Sequence, residues 1–112
     1  MKLLNFLLNQ QHVLAKYAPQ VRLIGSPQGD LEENRDSVSL QCVADANPPA
    51  TIVWRKAGRT EIHSFQELIE FRPLVRRHAG SYSCEAKNHL GSSQPITVEI
   101  DVKCETYFSL PV

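Results

Sequence analysis

Apolar and polar residues alternate with a period of two along most of this chain. Val38, Leu40 and Cys42 fall on one face of a stretch from 37 to 43, with Ser39 and Gln41 on the other. Ile52 and Trp54 alternate within 51–56, Ile69 and Phe71 within 67–73, and Tyr82, Cys84 and Ala86 within 81–87. The cleanest run is Ile96, Val98, Ile100 and Val102, within 93–102. A period of two is the signature of strands buried on one side. These runs, with a shorter first strand at 20–24, predict six strands and no helix in the core. The expected core is Val38, Leu40, Cys42, Ile52, Trp54, Ile69, Phe71, Leu74, Tyr82, Cys84, Ala86, Val98 and Ile100.

Turn-forming residues separate the runs. Gly25, Pro27 and Gly29 end the first strand, and a proline there suits an edge. An acidic turn follows over Asp30–Asp36. Pro48 and Pro49 stiffen the loop at 45–50. Residues 60–66 are too few for two additional strands, which favours a compact set. His78-Ala79-Gly80 is a corner, where Gly80 is free to take positive φ.

The corner runs into Tyr82-x-Cys84. Cys42, Trp54, Tyr82 and Cys84 follow one another at separations of 12, 28 and 2. This order, with the Ala-Gly-x-Tyr-x-Cys corner, resembles the immunoglobulin fold over residues 18–103, an all-β sandwich of two antiparallel sheets. Cys84-Glu85-Ala86-Lys87-Asn88-His89-Leu90-Gly91 is similar to the "C-x-A-x-N-x-x-G" ending of intermediate-set domains. The resemblance extends to interior domains of tandem cell-adhesion receptors, of the echinoid or nephrin-like type. It implies a core signature of Leu40, Trp54, Phe71, Gly80 and Tyr82, with the Tyr82 hydroxyl turned back onto the corner's backbone. It also implies a Cys42–Cys84 bridge, closing a loop worth about 4 kcal/mol in the chain-entropy model, and an oxidising compartment. Two buried free thiols, as in immunoglobulin modules of muscle filaments, are the alternative. Where most intermediate-set domains carry an Asp that pairs with an Arg, this chain has His78. That ion pair is not expected here, and His78 beside Arg76 and Arg77 should stay neutral at pH 7.

Both ends depart from the pattern. Residues 1–17 read as a weak signal-like segment, an amphipathic helix through Leu4, Leu7, Leu8 and Leu14, or a truncation scar. Residues 104–112 form a tail whose Cys104 is the odd thiol, free or available to join two chains. Both ends resemble cuts through a longer receptor.

Composition narrows the function. Twelve basic and 12 acidic side chains cancel, so no bulk attraction to nucleic acid or an anionic membrane is implied. No apolar run is long enough to span a bilayer. The four histidines, His12, His63, His78 and His89, are scattered without metal-ligand spacing, and no phosphate-cradling glycine loop is present. Asn5, Asn9, Asn34, Asn47 and Asn88 all lack Ser or Thr two residues on, so no N-glycan acceptor masks a face. The resemblance implies protein binding at the cell surface, and no residue set points to catalysis, a cofactor or a metal. The rivals are an intracellular filament module and a soluble ligand-binding domain. Candidate contact residues are Val53, Arg55, Glu85 and Lys87 on one sheet face, and Pro48, Pro49, His89 and Leu90 on one pair of loops. At the opposite end Glu32, Glu33 and Asp36 should neutralise Arg72, Arg76 and Arg77 as solvated pairs.

Overall fold

The computed structural model describes residues 15–27, 29 and 31–103. Among these residues seven strands form: β1 (Tyr17–Ile24), β2 (Val38–Asn47), β3 (Thr51–Lys56), β4 (Leu68–Phe71), β5 (Gly80–Asn88), β6 (Gly91–Ser92) and β7 (Ile96–Ile100). One antiparallel sheet has the order β1-β2-β4. The other places β5 between β3 on one side and β6 and β7 on the other. Each central strand alternates as its sequence dictates. On β2, Val38, Leu40 and Cys42 are buried; on β5, Tyr82, Cys84, Ala86 and Asn88 are buried. The two inward faces meet in a single cluster. A disulfide joins Cys42 to Cys84 across it, with Cα atoms 6.5 Å apart. Trp54 lies opposite Cys84 in the β3–β5 register and is fully buried.

The core matches the sequence expectation with two differences. Val98 is only half-buried and packs on the cluster's margin. Leu31 belongs to the core although it stands in an acidic turn. The backbone explains it: Lys103 N–H donates to Leu31 O at 2.8 Å and Glu33 N–H to Lys103 O at 3.0 Å. That parallel bridge swings residues 31–33 onto the second sheet's side and turns Leu31 inward.

The last expected strand, 93–102, is shortened to β7, and a separate two-residue strand, β6, precedes it. β6 pairs Lys87 with Ser92, and β7 pairs Cys84 with Ile96, so one extra residue is accommodated between them. Ser93 turns inward there. It donates its own N–H to Ala86 O and its hydroxyl accepts the Ala86 N–H, at 2.8 and 2.9 Å. Pro95, lacking an N–H, sits in the gap. β1 begins at Tyr17, one residue before the expected domain boundary, and reaches Asn47 on β2 through a register shift. Residues 60–66 form no ladder, only a bridge of Ser64 to Trp54. A one-turn 3-10 helix, Arg76–His78, fills the corner where no helix was expected. No helix among the described residues is long and apolar enough to cross a membrane. Of the proposed extension 1–17, residues 1–14 lie outside the described residues, as do residues 104–112 with Cys104.

Candidate interaction surfaces

The outward face of β3 and β5 assembles the first group. Val53 faces Glu85, and Thr51 faces Lys87, directly across the ladder. Arg55 reaches diagonally to Glu85, with Nε 3.8 Å from Oε1. Arg55 and Lys87 are exposed, and Val53 and Glu85 are half-buried. Strand alternation alone places all four on one face, because their odd numbers alternate with buried Ile52, Trp54, Cys84 and Ala86. The result is a flat patch with one apolar centre and charges of both signs around it.

The loops form the second group. Asn88, on the last position of β5, ties them together. Its amide nitrogen donates to Pro48 O at 2.9 Å and to Tyr17 O at 3.0 Å. Its side-chain oxygen accepts the Leu90 N–H at 2.9 Å. One buried side chain thus fixes the proline loop, the β5–β6 turn and the start of β1. Pro48, Pro49, His89 and Leu90 are brought to the same end, and Leu90 and Tyr17 are exposed there. The Tyr17 hydroxyl donates to Asp45 at 2.7 Å. Asn88 was visible in the sequence only as a letter in the "C-x-A-x-N-x-x-G" ending. Its buried polar role is what that position supplies.

At the opposite end the charged clusters meet only in part. Arg76 closes on Glu33 at 2.9 Å. Arg35 takes up Glu32 and Asp36, and Arg72, just past the end of β4, pairs with Glu70 on it. Asp36 also accepts the Glu32 N–H at 2.8 Å, holding the turn closed. Its hydrogen bond to Arg35 keeps its carboxyl below the usual range. The pairs of Arg35 and Arg72 are solvent-exposed and contribute little each, whereas Glu33 meets Arg76 with its own side chain only 12% exposed.

The corner itself is an aromatic box. The Tyr82 hydroxyl donates to His78 O at 2.7 Å. The Phe71 ring lies 5.3 Å from Tyr82 and 4.7 Å from His78, and His63 stands edge-on to Tyr82 at 5.3 Å. His78 Nδ1 accepts the Val75 N–H at 3.0 Å, so that nitrogen carries no proton. Burial first, then Arg77, Lys56 and His63, push the His78 pKa down. Burial, Lys56 and Arg59 do the same to His63. An Asp at 78 would seek an arginine. The imidazole instead caps the corner and packs at a tilt against Phe71.

Among the described residues no group of His, Cys, Asp and Glu is placed to hold a metal. Residues 19–88 match the family model for the immunoglobulin domain. The chain is 31% identical over 93 residues to the B-cell receptor CD22 of Mus musculus, covering 80% of this chain and 11% of that one. Contactin-4 of Rattus norvegicus is 30% identical over 78% of this chain and 9% of its own length. The chain spans between 6% and 28% of the length of the curated relatives it matches. In structure it is similar to the mouse nectin-like molecule 4 ectodomain, with a TM-score of 0.64 at 23% identity, over 81% of this chain and 32% of that one. That likeness, like those to titin domains at similar or lower identity, is one of fold.

Proposed function

The chain belongs to the immunoglobulin domain family, and from that membership we propose that it is a protein-binding module of a cell-surface adhesion or recognition receptor. It acts as one unit of a longer tandem chain, of the intermediate set, through homophilic or heterophilic contacts in the extracellular space. The observation that carries this reading is the uncovered β3–β5 face, with Val53 at its centre and Arg55, Glu85 and Lys87 around it. Interfaces of this kind combine an apolar centre with a polar rim that selects the partner. The receptor relatives support the assignment. The Cys42–Cys84 bridge favours an oxidising compartment over the filament interior of the muscle-type alternative.

The test is bead capture. The 112-residue chain, immobilised on beads, should cluster with itself or capture cells bearing its partner. Val53→Arg and Lys87→Glu should each abolish capture without lowering the melting temperature. Undiminished capture by both variants would remove the partner site from this face.

A further inference from the structure

The aromatic corner opens to solvent through a cleft of about 350 Å³. Lys56 at the end of β3, Arg59 in the turn after it and Arg77 on the 3-10 helix line the cleft, with His63, His78 and Tyr82. Its one carboxylate, Glu61, sits 3.8 Å from Arg59 on a side chain 69% exposed. In a chain whose net charge is zero, three basic side chains thus meet a single loosely held anion, and burial, then Arg59, lowers the Lys56 pKa. Neighbouring arginines are satisfied differently: Arg72 and Arg76 close on Glu70 and Glu33 at 3.0 and 2.9 Å. Lys56 and Arg77 make no ion pair among the described residues.

Lys56 is also held in place. Its Nζ donates to Arg77 O at 2.7 Å and stands 5.5 Å above the Tyr82 ring. Its stem runs over Gly80, where an added Cβ would lie 2.8 Å from Lys56 Cε. Gly80 has φ +145, so the corner glycine provides both the backbone turn and the room for this lysine. An ammonium has three N–H groups, and the Arg77 carbonyl takes one, leaving two for a ligand. The side chain has already given up most of its freedom, so less is lost on binding.

We propose that this cleft binds carboxylates presented by an acidic segment of a partner protein. The inference deepens the protein-binding reading and rests on it. A guanidinium and an ammonium facing one depression suit a carboxylate, which accepts bidentate and charge-assisted bonds. Ile62, on the wall and 38% exposed, offers an apolar contact for the stem of a glutamate. A linear sulfated polyanion calls for an extended basic stripe, and here the adjoining Arg72 and Arg76 are already paired.

The experiment is an NMR titration of the 112-residue chain with a hexaglutamate peptide, with a hexaglutamine peptide and inorganic sulfate at matched ionic strength as comparisons. Hexaglutamate alone should shift the amides of Lys56, His63 and Arg77. Arg77→Gln should weaken binding about tenfold, the scale of one charged hydrogen bond. Lys56→Gln should do likewise. Among the described residues the Arg77 side chain makes no hydrogen bond or ion pair, so Arg77→Gln remains informative if Lys56→Gln unfolds the corner. Equal shifts from sulfate, shifts spread over Arg22 and Arg72, or unaltered affinity in Arg77→Gln would overturn the proposal. The titration reads the cleft and the bead assay reads the β3–β5 face, so either can fail without the other.

Discussion

Replacing Trp54 by alanine tests the core most directly. The indole is wholly buried, opposite Cys84 and within the cluster that joins the two sheets. Trp→Ala in a core costs roughly 3–5 kcal/mol, the sum of lost transfer energy and the cavity left behind. The polar part of the loss is small. Trp54 Nε1–H donates to Glu67 O at 3.3 Å, yet the same carbonyl also accepts the Cys42 N–H at 2.9 Å and keeps a partner when the indole goes. The backbone bonds of Trp54 to Ser64 O and from His63 N–H survive the substitution. Collapse is limited because Leu40, Cys42 and Cys84 are already packed without exposure and the disulfide fixes the sheet separation. The upper half of the range is therefore expected. Against a total of about 5–15 kcal/mol, that leaves little stability. At about 4–8 °C per kcal/mol for a domain of this size, the melting temperature should fall by at least roughly 16 °C. Calorimetry on the wild type and Trp54→Ala, with Trp54→Phe as the smaller perturbation, measures it. A drop of only a few degrees would refute the placement of Trp54 at the centre of the core.

Other outcomes follow from the same contacts. His63 and His78 both have folded pKa values pushed below the ordinary value, so the unfolded chain takes up protons first as pH falls. Stability is full above about pH 6.5 and declines below it as the pH approaches the depressed folded values. Melts at pH 7.5 and 5.0 should show this, and a His63→Gln, His78→Asn double variant should flatten it, since Asn Oδ1 can still accept the Val75 N–H. A melting temperature that rises on acidification would contradict it. Asn88→Ala should cost about 1–3 kcal/mol by orphaning the partners of one buried amide, and in hydrogen exchange the Leu90 amide should lose protection first. Alkylation and intact mass on protein from its native source should modify one cysteine, Cys104. Three modified cysteines would mean that Cys42 and Cys84 are reduced.

Much of the fold was legible because β3, β5 and the first half of β2 alternate in burial. The inward apolar residues there were readable by counting, whereas buried Asn88 was not. What was hidden depends on contacts distant in sequence. Leu31 has polar neighbours, and only its backbone bond to Lys103, 72 residues on, turns it inward. The late start of the last strand goes with Ser93 substituting its hydroxyl for a ladder partner, which no local period records. The β3–β5 face was legible for the same reason as the core, since it is the complement of the same alternation. The cleft was not. Lys56, His63, Arg77 and Tyr82 come from separate segments, and only Gly80, read as a turn residue, hinted that something passes close to the corner.

Strand β5 carries both halves of this division. Its even positions, Tyr82, Cys84, Ala86 and Asn88, hold the corner, the disulfide, the core and the loop end. Its odd positions, Ser83, Glu85 and Lys87, meet solvent opposite Arg55, Val53 and Thr51. Changes at the odd positions alter charge and shape on one face while leaving buried contacts intact, and exposed substitutions of this kind usually shift stability by less than about 0.5 kcal/mol. Binding specificity can therefore diverge along one side of the strand while the other side keeps the fold. The cleft lacks this freedom. Lys56 shares its space with Gly80, and His78 both lines the cleft and caps the corner. A substitution at either one perturbs the fold and the site together, so Arg77, whose side chain makes no contact that holds the corner, is the position at which ligand preference is free to change.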